Sequence, residues 1–212
     1  MKQLLLSTWL RAAVLLAALG YLPHQLAAQE DEPIIAFKSV AKSTANGDAV
    51  TIFLGSFQPG TDYIDMDCGS GTEEHEISQA TINTTTGEWE GGTSITCTLS
   101  EDGWVKIYGD AANLAVINFS GCYISELQMA DLPNLYYLNL EHNLVEGLDL
   151  SGKFGALAYL TLADNPFGKS PLKIGDNKPA LQLLDISQAG RLDDAFSLAD
   201  YPALVSFDAY AC

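Results

Sequence analysis

The stretch that decides the fold is NLYYLNLEHN, residues 134–143, in which leucines at 135, 138 and 140 precede an asparagine at 143. A helix repeats apolar residues at i, i+3, i+4 and i+7, and a half-buried strand alternates strictly. A gap of three followed by a gap of two fits neither. Sliding the pattern along the chain recovers it as LAVINFSGC from Leu114, LYYLNLEHN from Leu135, LAYLTLADN from Leu157, LQLLDISQA from Leu181 and LVSFDAYAC from Leu204. Successive starts differ by 21, 22, 24 and 23 residues. An internal period between roughly 20 and 50 residues marks a stacked-repeat architecture and overrides local secondary-structure readings.

Within each unit a second apolar pair follows: Leu127 and Met129, Leu148 and Leu150, Leu172 and Ile174, Phe196 and Leu198. Each complete unit is therefore expected to hold two extended segments. Pro133, Pro179 and Pro202 precede three of the next starts and Gly155 stands near the fourth, where the chain turns back. Three apolar side chains of a short strand then point into one interior, and each strand pairs in parallel with its neighbour one coil away. A single coil cannot bury that face, but stacked coils can. The ninth position points inward where the chain leaves the strand, and an asparagine amide there can satisfy loop backbone groups. It reads Cys122, Asn143, Asn165, Ala189 and Cys212.

These nonamers resemble the leucine-rich repeat family, whose L-x-x-L-x-L-x-x-N/C-x-L motif matches four to five times in order over residues 114–212. The two-segment unit is similar to the irregular bacterial subclass with nested half-repeats, found in exported internalin-like and surface proteins of Gram-negative anaerobes. Ala189 in place of asparagine and the insertion PFGKSPLKIGDNKPA after Asn165 depart from the pattern. The resemblance implies a solenoid with a parallel β-sheet over 109–212, about five repeats with the last incomplete.

Ahead of the repeats, residues 29–108 contain the β-rich runs IIAFKSV, AVTIFLG, DYIDMD, ATINTTT, SITCTL and WVKIY between Gly, Asn and Asp signals. They are expected to form a small antiparallel, sandwich-like β domain whose last run abuts the first coil and covers its apolar end. The fold class is thus an N-terminal antiparallel β domain followed by a leucine-rich-repeat solenoid.

Residues 1–28 carry Lys2 and Arg11 around an apolar run that leads into the small-residue exit LAAQE, the pattern of a secretory signal peptide cleaved after Ala28. Arg11 interrupts the run, which is shorter than the roughly 20 apolar residues a membrane span needs. No cysteine stands at that exit to carry a lipid anchor. The expectation is a secreted or bacterial cell-surface protein with no membrane span after cleavage. The leader takes two of the ten basic residues and none of the 27 acidic ones, leaving 8 against 27, a formal charge of −19. Such a surface repels nucleic acid and anionic lipid alike.

No catalytic constellation assembles from the sequence. Past the leader the chain has only His75 and His142, with no Gly-x-Ser-x-Gly elbow, no Cys-x-x-Cys pair and no phosphate-cradling glycine loop. Asp65, Asp67, Ser70 and Glu73 lack the spacing of a calcium loop, and His75 lacks a second histidine at i+4, so no metal or cofactor is expected. Recognition is the better reading. Residues between the buried leucines form columns: Val116, Tyr137, Tyr159, Leu183, Ser206; then Asn118, Asn139, Thr161, Asp185, Asp208; then Ser120, Glu141, Ala163, Ser187, Tyr210. Tyr137 and Tyr159 offer rigid amphipathic area, and Asn118, Asn139, Thr161, Asp185, Asp208 and Glu141 offer hydrogen bonds, as a face for a protein or glycan ligand in adhesion or host interaction. A structural spacer that displays another domain is the alternative, because such ladders also stabilise parallel strands, and an uncharacterised enzyme is the remote one. Ligand, host and oligomeric state stay open.

Cysteine spacing restricts pairing. Cys122 and Cys212 share a repeat position four coils apart, which at roughly 4.8 Å per strand places them about 19 Å apart, beyond the 7 Å or so that a disulfide spans. Any bond within the chain then joins Cys68 to Cys97, with four separate thiols as the alternative. Cys212 also ends the chain at a ninth position, which leaves two readings: a fragment of a longer protein, or an exposed last coil.

Overall fold

The computed structural model describes residues 32–41, 48–82, 89–176, 178–192 and 196–211; the leader and Cys212 lie outside them. From Pro33 onward the chain is one compact unit and almost entirely β. Eight strands precede the first nonamer: β1 (Ile35–Ser39), β2 (Ala49–Ser56), β3 (Thr61–Asp67), β4 (Thr72–Ser78), β5 (Ala80–Ile82), β6 (Trp89–Gly91), β7 (Thr93–Thr98) and β8 (Trp104–Tyr108). The repeats add β9 (Leu114–Asn118), β10 (Ile124–Met129), β11 (Tyr137–Asn139), β12 (Tyr159–Thr161), β13 (Phe167–Leu172), β14 (Leu183–Asp185), β15 (Gly190–Leu192) and β16 (Ser206–Asp208).

Two sheets organise twelve of these strands, and β5 with β6 and β13 with β15 form separate two-stranded sheets. Of the two larger sheets, one is antiparallel, in the order β10-β1-β8-β3-β4; the other runs β16-β14-β12-β11-β9-β2-β7. In the second, β9, β11, β12, β14 and β16 are parallel in register, Val116 to Tyr137 to Tyr159 to Leu183 to Ser206, which makes a β-solenoid of about four turns. β2 then joins β9 antiparallel, from Phe53 opposite Asn118 to Ser56 opposite Leu114. The antiparallel segment and the repeats thus share both sheets, because β10 from the first coil pairs with β1.

The interior is equally continuous. One apolar cluster runs from Ile35 and Phe37 through Leu138, Leu160 and Leu184 to Ile186 and Tyr201, and the Phe37 and Phe119 rings meet at 5.1 Å where sandwich becomes solenoid. The nonamer pattern is what buries it: Leu135, Leu138, Leu140, Leu157, Leu160, Leu162, Leu181 and Leu184 are all fully buried. Cys68, just past β3, is bonded to Cys97 in β7, so a disulfide staples one sheet to the other. Cys122 is a buried thiol whose Sγ lies 3.4 Å from the Thr51 carbonyl, and burial pushes it up to about 12.

Asparagine at the ninth position stitches coil to coil. Asn143 accepts from Ile124 N at 2.9 Å and donates to the carbonyls of Phe119 and Leu140 at 2.9 Å each; Asn165 accepts from Val145 N at 3.2 Å and donates to those of Leu140 and Leu162. Each amide therefore ties its own turn to the preceding one, and a buried polar group so satisfied adds cohesion instead of cost. The eighth position has its own signature, since Gly121, His142, Asp164, Gln188 and Ala211 all take positive φ, between 53° and 68°. A left-handed residue reverses the chain at the end of every strand.

Two expectations need correction. The run that meets the first coil is AVTIFLG, not WVKIY: β8 has both edges taken by β1 and β3, whereas β2 presents one edge to β7 and the other to β9. Both runs alternate, AVTIFLG exposing Thr51 between buried Val50 and Ile52 and WVKIY exposing Lys106 between buried Val105 and Ile107, but Leu54, Gly55 and Ser56 of β2 are all buried where the strand pairs with β9. The second segments are also irregular. The first is a strand, β10; the Leu148 and Leu150 segment reduces to a single bridge from Asp149 to Lys173; β13 pairs in parallel with β15; the Phe196 and Leu198 segment enters a 3-10 turn, Leu198–Asp200.

The insertion after Asn165 brings in Lys178, fully buried, whose Nζ donates to the Leu150 carbonyl at 2.9 Å and to that of Ile174. It occupies the back of the solenoid as a polar plug. Burial lowers its amine to about 8, against the pull of Asp176, Asp149 and Asp131.

Candidate functional site

The outward column at the third position begins under a roof. The β5–β6 hairpin folds back over the sheet, and Ala80 sits against β2 and β9, where a Cβ added to Gly55 would lie 2.2 Å from the Ala80 methyl. Only glycine permits that approach. Val116, Ala115 and Ala80 form a small buried cluster beneath Phe53, Trp89 and Tyr137. Trp89 meets Tyr137 edge-on at 4.8 Å, Tyr137 and Tyr159 lie 6.4 Å apart across the parallel register, and Tyr136 meets Tyr159 edge-on at 5.2 Å. The two tyrosines expected on the face are thus half-buried members of a row of four rings. Burial, then the hydrogen bond and charge repulsion with Tyr159, push the Tyr136 phenol up to about 12.

The polar column is placed as expected but is occupied by the fold itself. Oδ1 of Asn118, Asn139, Asp185 and Asp208 each accepts the backbone N–H two residues on, at 2.8 to 3.0 Å, from Ser120, Glu141, Ser187 and Tyr210. These Asx turns shape the exit from four of the five parallel strands, and Thr161 stands at the remaining equivalent position. Asn139 is itself buried, and its amide donates to the Tyr137 hydroxyl at 3.3 Å. The face that remains open for contact is therefore aromatic at β11 and β12 and mixed over Leu183, Asp185, Ser206 and Asp208.

Along the exit edge, stacking joins three residues that sequence separation hides. His142 Nε2 lies 3.2 Å from Glu141 Oε1 and its Nδ1 lies 2.9 Å from Asp164 Oδ2. Their ligand atoms fall within 4.8 Å of one another. The eighth-position column, read across coils, would have paired His142 with Asp164. A carboxylate thus faces each ring nitrogen of His142. Elsewhere, Asp67 accepts from Gly69 N and Gly71 N within its own turn, at 2.7 and 3.3 Å.

Trp89 is the residue that sequence reading missed. It lies 48 residues before Tyr137 as the first residue of β6, outside the repeat period, and its only signal is the small-residue pair Gly55 and Ala80 that lets β5 approach the sheet. Among the described residues no helix is long and apolar enough to cross a membrane. Comparison of the chain with protein-family models, with curated proteins and with solved structures finds no match.

Proposed function

We propose that the chain is an exported leucine-rich-repeat interaction protein, freed of residues 1–28 and secreted or held at a bacterial cell surface, that binds a protein or glycan ligand on its sheet face and carries out no catalysis. The observation that carries this reading is the contiguous row in which Tyr136, Tyr137 and Tyr159 along the parallel sheet are met by Trp89 from β6. Rings fixed by strand pairing lose little freedom on binding, and such aromatic positions dominate recognition energetics. The five nonamers at near-constant spacing support the family, and the strongly acidic composition supports partners other than nucleic acid or anionic lipid.

A specific observation favours the spacer alternative at one column. The Asn118, Asn139, Asp185 and Asp208 oxygens already serve backbone N–H groups, so those residues act as scaffold. The rings decide between the two readings. Tyr137→Ala with Tyr159→Ala is expected to lower binding to immobilised host-cell surface protein or glycan by about tenfold or more, while circular dichroism keeps the β signature. Unchanged adhesion by a folded double variant assigns the face to the spacer role.

A further inference from the structure

Beside the hairpin, at the entry side of the strands, the surface closes into a groove of about 390 Å³. That is within the range of ligand pockets, roughly 300–1,000 Å³. Its floor is Ala80, Ala115 and Val116; Phe57, Trp89 and Tyr136 bring rings to it, and Gln79, Thr81 and Asn134 bring polar groups. We propose that this groove binds a neutral saccharide of about two sugar units, stacked on Trp89 and Tyr136, as the end of a longer glycan that runs onto the sheet face. The inference deepens the glycan branch of the proposed function by giving it a place and a chemical class.

Charge is the first argument. The chain carries 27 acidic residues and 10 basic ones, yet no Asp, Glu, Lys, Arg or His lines the groove among the described residues. A charged ligand would leave water for a lining that offers no counter-charge, which disfavours it; a neutral one meets no such penalty. The second is shape. A pyranose has C–H faces for aromatic rings and a hydroxyl rim for polar side chains, and this lining mixes three rings with Thr81 and with Asn134 and Gln79, whose amide nitrogens donate to the Ala112 and Phe57 carbonyls.

The third is that three backbone N–H groups at the groove are already paired. Tyr136 N donates to the Ala115 carbonyl at 2.8 Å, Gly92 N to that of Gln79 at 3.1 Å, and Phe57 N to that of Asn113 at 2.6 Å. An extended peptide adds to a sheet through unpaired edge groups, and these three are taken. The same bonds hold the walls in place before a ligand arrives, which reduces the ordering cost of binding. Continuity supplies the direction of the chain, since Tyr136 touches Tyr159 and Trp89 touches Tyr137, so the groove opens onto the aromatic row.

The test uses the full secreted chain and a panel of neutral tetrasaccharides: cello-, malto-, xylo-, β-1,3-gluco- and N-acetylchito-oligosaccharides, read by titration calorimetry and by Trp fluorescence. At least one is expected to bind saturably with Kd below about 1 mM and to shift the Trp89 emission. Ala156→Phe, which fills the groove from its half-buried rim while leaving Trp89 in place, is expected to weaken that sugar at least about tenfold; Trp89→Ala, followed by calorimetry, is expected to do the same. No binding across the panel overturns the proposal, as does binding unaffected by Ala156→Phe, or saturable uptake of neutral naphthalene with no sugar bound. Host-surface binding that needs Tyr137 and Tyr159 without any sugar response sinks the groove and spares the face; a groove-dependent sugar response with adhesion indifferent to those tyrosines does the reverse.

Discussion

The first and the last described coils of the solenoid are built from the same nonamer, and they are covered differently. At β9 the strand is sealed: Leu114, Ala115, Val116 and Ile117 are all buried, with β2 on its edge, the hairpin over its face and the antiparallel sheet beneath. At β16 the residues equivalent to Ala115, Val116 and Ile117 are exposed, Val205 at 85% and Phe207 at 39% with Ser206 between them, and Leu204 is only half-buried. The motif specifies where a side chain points. Whether that side chain leaves water depends on the neighbouring coil, so burial in a stacked fold is a property of pairs.

The largest effect expected from this contrast comes from one substitution placed at two ends. Leu138 and Phe207 occupy the same inward position, linked through Leu160 and Leu184. Leu138→Asp puts a charge where exposure is zero. The cost is several kcal/mol, a large share of the 5–15 or so that holds a domain together, so the solenoid is expected to unfold. Phe207→Asp, at a partly wet position, is expected to cost about 1 kcal/mol. Urea unfolding of both variants measures the difference. Equal losses would mean that something covers the last coil in solution.

At the sealed end the disulfide should rank next. Cys68–Cys97 closes a loop of sequence separation 29 between the two sheets, and chain entropy assigns such a crosslink about 3–4 kcal/mol. Cys68→Ser with Cys97→Ser is expected to lower the urea midpoint accordingly. If the sealed and open ends are one cooperative unit, as their shared apolar cluster implies, near- and far-ultraviolet signals will still move together. Separate transitions would divide the molecule near β9.

How much of this was legible follows the same division. The nonamer register, the inward asparagines and the columns through Tyr137 and Tyr159 could be read because each repeat reports on the others; five noisy copies make one clear signal. Gly55, Ala80 and Trp89 occur once, and their meaning lies in a docking contact between distant segments, so no period reveals them. The left-handed eighth position was hidden for another reason. Its residues, Gly121, His142, Asp164, Gln188 and Ala211, share a backbone angle and no side-chain chemistry.

Lys178 sharpens the comparison through pH, since it plugs the back of the coils nearest the open end. Its folded amine is lowered to about 8 from 10.5. Below pH 8 both folded and unfolded lysine carry the proton, and the burial penalty is constant. Between about 8 and 10.5 the unfolded chain binds the proton and the folded chain does not, so stability rises with pH, by up to about 3 kcal/mol. Tyr136 and Tyr201, pushed up to about 12, act in the opposite sense. Unfolded tyrosine ionises from pH 10 while the folded phenols keep their protons, so stability falls again above that point. A maximum near pH 10 in thermal unfolding is expected, and Lys178→Met should flatten its rising limb. A rise that persists in that variant would place the titrating group elsewhere.

The smallest effect tests the backbone alone. Gly121 ends the first strand at φ +68°, and a Cβ built there meets nothing within 4 Å; Gln188 ends the fourth at φ +54°. A left-handed residue with a Cβ costs roughly 1–2 kcal/mol more than one in the usual regions, and glycine escapes that cost but gives back about 0.5–1 in unfolded-chain entropy. Gly121→Ala should therefore destabilise by about 0.5–1 kcal/mol, and Gln188→Gly should stabilise by a similar or smaller amount. Opposite signs would show that one turn geometry recurs from the sealed end to the open one. Two losses of equal size would show that the Gln188 side chain contributes something the turn does not require, and the repeat would then differ between its ends in chemistry as well as in cover.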